Sequence, residues 1–193
     1  MKTTTITLTV LAAFAASLAL AHGGATGIVK ERMDGMAAMQ KATKAVTPIM
    51  RGQVDYDADA VRDFATAVEM HSGEAMTKLF PEGSGGMPSV AKENIWSEWS
   101  EFEHLAMQLE TLGQALGRAA DNGLAVGDAQ SGASMMGTDS MMGGQMATGG
   151  MMGQAGSPMM DSEMLAGMPA DAVFMQISQT CSACHTKYRA ESN

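Results

Sequence analysis

The sequence predicts an all-α fold, an antiparallel up-and-down four-helix bundle, on three observations. Four segments carry apolar residues at helical spacing, no run of alternating β-branched residues is long enough to argue for a sheet, and short connections join the first three segments. The first helix runs from about Gly27 to Thr47, with Ile28, Arg32, Met36, Met39, Thr43 and Val46 on one face and Pro48 just past its end. The second follows Asp57 or Asp59 as N-cap and keeps Val61, Phe64, Val68, His71, Ala75 and Leu79 in register until Pro81. A Gly-rich loop, Glu82 to Pro88, leads to the third. Here Ile95, Trp99, Phe102, Ala106, Leu109, Gly113 and Leu116 recur up to Asn122-Gly123, with Trp96 beside the stripe. The fourth starts near Pro169, a residue suited to a first turn, and places Val173, Phe174, Ile177, Cys181, Cys184, His185 and Tyr188 on one side.

Between the third and fourth helices the composition changes abruptly. Residues 127–168 are Met, Gly, Ser, Ala and Gln with repeated Met pairs, and 11 of the chain's 21 methionines fall between Met135 and Met168. No helical or strand period survives, so this reads as a low-complexity Met-rich insert, disordered without a ligand. At the other end, Lys2 precedes an apolar run that closes on Ala19-Leu20-Ala21, the pattern of a secretory signal peptide over residues 1–21. The domain reading is therefore a signal peptide at 1–21, helices 1–3 at 22–126, the insert at 127–168, and helix 4 of the same domain at 169–193. Localisation to the periplasm follows, with no membrane insertion.

The formal charge of −9 comes without any basic cluster. Nucleic acids and anionic membrane surfaces are held chiefly by Lys and Arg, so neither is an expected partner. No nucleophile paired with a base, no paired carboxylates and no second metal motif stand out, and no enzyme activity is expected. Redox partner proteins are the expected contacts, with the chain a monomer or a homodimer.

The chemistry concentrates at Cys181-Ser182-Ala183-Cys184-His185. Two thiols three residues apart on a helix can form thioethers with both vinyl groups of one haem, while the adjacent His reaches the iron. A thioredoxin-like pair would use the same two cysteines, but at the start of a helix in an α/β sheet, which is not expected here. Cys181 and Cys184 are thus assigned to one covalent haem c and His185 to its iron. For the opposite side of the iron the favoured residue is Met36, on the inward stripe one turn after Arg32, whose guanidinium is placed to bind a haem propionate. Met33 and Met39 lie close by, so spacing alone does not single out one sulfur. His71 and His104 are read as packing or surface residues, Trp96 and Phe102 as packing near the porphyrin, and Lys187 and Arg189 as favouring the helix C-terminus or forming a docking patch.

These residues resemble the class II cytochromes c, the superfamily of cytochrome c prime and its low-spin, Met-ligated members. Arg32, Thr47-Pro48, the Gly52 to Asp57 turn, Phe80-Pro81-Glu82-Gly83, Ile95-Trp96-Ser97, and the C-terminal Cys181 to His185 with Tyr188-Arg189 fall in the family's order. The resemblance implies a propionate-binding role for Arg32 and places Met36 where low-spin members carry their sixth ligand and five-coordinate members an apolar residue. The leading expectation is a periplasmic monohaem cytochrome transferring one electron through a His/Met-ligated iron. The alternatives are a copper-binding or copper-responsive haem protein, whose insert gathers Cu(I) with soft thioether sulfurs, and a five-coordinate gas-binding cytochrome c prime.

Overall fold

The computed structural model describes residues 24–125 and 161–190. The signal peptide expected at 1–21 and most of the Met-rich insert, residues 126–160, lie outside the described residues. Seven α-helices are described: α1 Gly27–Met50, α2 Ala58–Met70, α3 Gly73–Thr77, α4 Asn94–Ser97, α5 Trp99–Ala119, α6 Ser162–Ala166 and α7 Ala170–Tyr188. The four long ones, α1, α2, α5 and α7, form the antiparallel four-helix bundle expected from the sequence. Among the described residues there is no strand, only one isolated bridge between Ala91 and Arg189.

Pro48 does not end α1. The helix carries on to Met50 because its last turn buries Val46, Ile49 and Met50, at 1%, 8% and 6% exposure. Burying an apolar side chain of that size is worth about 1.5–3 kcal/mol, enough to offset one lost backbone donor near a helix end. Closure comes at Gly52, whose φ of 62° lets its N–H reach Ile49 O while Gln53 N–H reaches Pro48 O, both at 2.9 Å.

Asp57, not Asp59, caps α2, accepting from the N–H groups of Asp59 and Ala60 at 2.9 and 3.1 Å. The helix predicted to run on to Pro81 breaks at His71-Ser72-Gly73 and resumes as α3. Gly73 has φ 55°, a backbone conformation that favours glycine, and the Glu110 carboxylate occupies the space where a Cβ would stand. The third predicted helix is α4 plus α5, finished by a short 3₁₀ turn, Ala120–Asn122. α5 is central, packing on α2, α3, α6 and α7. At its crossing with α2, a Cβ on Gly113 would lie 3.0 Å from Val68, a close approach only a small residue permits.

The C-terminal edge of the insert belongs to the bundle. α6 buries Leu165 at 2% exposure, and Arg118 donates to Ser162 O at 3.1 Å. Asn122 donates to the carbonyls of Ala166 and Met168 at 2.8 and 2.7 Å, and Ala170 N–H reaches Gly123 O at 2.9 Å. The chain therefore leaves the bundle and returns to it at adjoining points. No helix among the described residues is long and apolar enough to cross a membrane.

Candidate functional site

Helix α7 presents Cys181 and Cys184 as free thiols, partly buried against the core. Desolvation raises both, and the neighbouring Cys181 adds to the effect at Cys184, whose pKa is pushed up to about 11. A thiol-disulfide catalyst needs the reverse, a thiol activated by a lowered pKa. His185, one residue on, is exposed at the helix edge. Partial desolvation of its ring, with Arg189 nearby, lowers its pKa and favours the neutral imidazole that binds metals.

The end of α7 is clamped to the α4–α5 region. Lys187 pairs with Glu98 at 2.6 Å and with Glu101, Asn94 donates to Lys187 O at 3.4 Å, and Lys92 N–H reaches Tyr188 O at 2.9 Å. Lys187 is thus engaged in ion pairs within the fold.

Across the bundle, Arg32 on α1 is 6% exposed. Its Nη2 donates to Ser84 O, and its guanidinium lies 4.5 Å from the Phe80 ring centroid. Nε and Nη1 are buried without partners, and so is Ser84 Oγ. No carboxylate among the described residues pairs with Arg32, and burial lowers its pKa. A buried guanidinium left two donors short costs several kcal/mol unless an anion meets it. A haem propionate would supply that anion, so the residues present fit the group that Cys181-x-x-Cys184-His185 implies. An aromatic chain joins the two halves of the site. Phe80 packs on Phe102 at 4.9 Å and Phe102 on Tyr188 at 5.6 Å, three residues past His185. Trp96 supports it from behind, donating to the carbonyls of Phe80 and Pro81 at 3.0 and 3.1 Å.

Met36, one turn after Arg32, opens into the same recess, which α1 shares with α2 and α3. Gly35, Met39, His71, Ala75, Met76 and Leu79 complete its wall. Arg32 and Met36 are therefore brought together as the sequence expects. Cys181, Cys184 and His185 are gathered on α7 and do not line this recess, and α1 meets α7 at few positions. His71, read from the sequence as a packing residue, stands inside the recess. Its place on the helix-2 stripe was the available signal, whereas nothing local marked Ser84.

The family model described as Cytochrome C' matches residues 27–140, more than half the chain. That stretch ends before Cys181, so the haem-attachment motif is independent of it. No curated protein matches in sequence. Among solved structures, a carbon-monoxide-bound variant of cytochrome c prime from Alcaligenes xylosoxidans is 20% identical, covering 85% of this chain and 94% of that one with a TM-score of 0.55. Cytochrome c' from Thermochromatium tepidum is 23% identical over 85% and 95%, with a TM-score of 0.55. Cytochrome c' from Rhodopseudomonas palustris is 18% identical over 88% and 100%, with a TM-score of 0.56. These likenesses bear on the fold, and with the family match they place the chain: it belongs to the cytochrome c prime family.

Proposed function

We propose that this chain is a periplasmic, covalent haem protein of the cytochrome c prime type that binds a diatomic gas, nitric oxide or carbon monoxide. The observation that carries this reading is the recess beside Arg32, a cavity of about 20 Å³ walled chiefly by Met36, Met39, Ala75, Met76 and Leu79. A space of that size admits a molecule of two or three atoms and no larger substrate. Family members are typically five-coordinate, and two of the similar structures are described as carbon monoxide and nitric oxide complexes of variants of the Alcaligenes xylosoxidans protein. These points support gas binding over the His/Met electron carrier that the sequence puts first.

When bound, the haem supplies an iron able to hold the gas. The chain's residues do the rest. Cys181 and Cys184 anchor the macrocycle to α7 through thioethers, and His185 offers its neutral imidazole to the iron. Arg32 meets a propionate with its two free donors, and Met36 stands on the recess side. Titrating carbon monoxide into the reduced holoprotein tests the reading. A one-to-one complex is expected, and no complex at saturating gas would refute it.

Met36 favours a second reading. Its thioether shares the recess with Arg32, and a sulfur taking the sixth position would give a low-spin electron carrier at raised potential. Copper binding by the insert has no support in the described residues or in the similar proteins.

A further inference from the structure

Arg32 has more hydrogen-bonding capacity than the surrounding fold uses, and so has the loop that closes over it. Ser84 lies in that loop, between α3 and α4, and its carbonyl accepts from Arg32 Nη2. The bond sets the Ser84 side chain beside the guanidinium, because carbonyl and hydroxyl belong to one residue. Arg32 Nε, Arg32 Nη1 and Ser84 Oγ are all sealed from solvent, and none has a partner. Buried polar groups are rarely left so, because burial without a hydrogen bond is costly. The hydroxyl does not accept from the neighbouring guanidinium, so its O–H is free to donate to whatever Nε and Nη1 meet.

The loop is pinned on both sides of Ser84. Its own N–H reaches Pro81 O at 3.1 Å, Trp96 Nε1 holds the carbonyls of Phe80 and Pro81, and a Cβ on Gly85 would lie 3.0 Å from Trp96 Cη2. The bonds that Ser84 itself makes here come from its backbone, and alanine would make them equally well. The hydroxyl therefore adds nothing to the loop, and its use lies in what the loop covers. We propose that Ser84 is a second propionate-binding residue, its Oγ–H donated to the haem carboxylate that Arg32 meets. The inference rests on the propionate reading of Arg32 and deepens it. Donation to a carboxylate is charge-assisted, and it makes the α3–α4 loop, with α1 and α7, a third segment that holds the macrocycle.

The test uses the holoprotein, reading the propionate bending band by resonance Raman spectroscopy and the folding constant by guanidinium unfolding. Hydrogen bonds to the carboxylate stiffen that bend. Ser84→Ala and Arg32→Met are each expected to move the band to lower frequency, and Ser84→Thr, which keeps a hydroxyl, to hold it at the wild-type position. Ser84→Ala should also lower the folding constant about ten-fold, the factor for one hydrogen bond to a charged group. Removing a hydroxyl that has no partner would instead leave the constant unchanged or raise it. A band that moves in Arg32→Met and stays in Ser84→Ala overturns the Ser84 role and leaves the propionate on Arg32. A band unmoved in both shows that these donors serve a free anion or none, so the propionate reading fails and the Ser84 role falls with it.

Discussion

Replacing Arg32 with Met should destabilise the haem-loaded protein and leave the haem-free fold almost untouched. The side chain is 6% exposed, with Nε and Nη1 unpartnered. In the holoprotein both donors would meet a propionate under the proposed function, and charge-assisted hydrogen bonds contribute about 1.5–3 kcal/mol each before side-chain ordering is subtracted. A net loss of about 3 kcal/mol is expected for Arg32→Met. Without haem the same guanidinium is a buried charge with no counter-ion. Met of similar length then forfeits the contact 4.5 Å over Phe80 but also removes the desolvation cost, so the change stays within about 1 kcal/mol of zero. The assay is guanidinium unfolding followed by helix circular dichroism, run in the holoprotein and in a Cys181→Ala/Cys184→Ala background that cannot attach haem. The difference between backgrounds is the coupling energy. Equal losses in both would show that Arg32 serves the fold alone and would refute the propionate assignment.

Three further outcomes follow from the geometry. Gly73→Ala should cost about 1–2 kcal/mol in thermal or denaturant unfolding, since its φ of 55° is left-handed. Deleting residues 127–160 should preserve the bundle and raise its stability by about 1 kcal/mol through a shorter closed loop, because Asn122 and Gly123 already hold the far end of the insert; loss of cooperative unfolding would contradict this. Lys187, hydrogen-bonded to Glu98, holds that carboxyl below its usual range. A lowered carboxylate pKa gives stability that is present above the unfolded value and lost as pH falls through the folded one. A carboxyl NMR titration should therefore place Glu98 low in the wild type and return it toward the ordinary value in Lys187→Met.

What the sequence reveals and what it conceals divide along locality. Val61, Phe64 and Val68 announce α2 because helix burial repeats with the period of the backbone, and Asp57 announces its start because a cap is made within three residues. The break at His71 is hidden, since Ala75 and Leu79 keep the apolar period across it and nothing in that period marks the positive φ of Gly73. α6 is hidden for a compositional reason. Leu165 lies within a Met- and Gly-rich stretch, and only α5 gives it a surface to bury. At the site, Cys181 to His185 are legible because haem attachment needs them adjacent, and Arg32 with Met36 because residues four apart share a helix face. The other walls of the recess come from α2 and α3, and the unpartnered donors of Arg32 become visible only when Ser84 and Phe80 close around it.

Electron paramagnetic resonance of the ferric holoprotein reads the sixth position of the iron directly. The proposed function predicts a high-spin axial signal that Met36→Leu leaves unchanged. A low-spin signal in the wild type that Met36→Leu converts to high spin would contradict it, placing the Met36 sulfur on the iron and restoring the electron carrier.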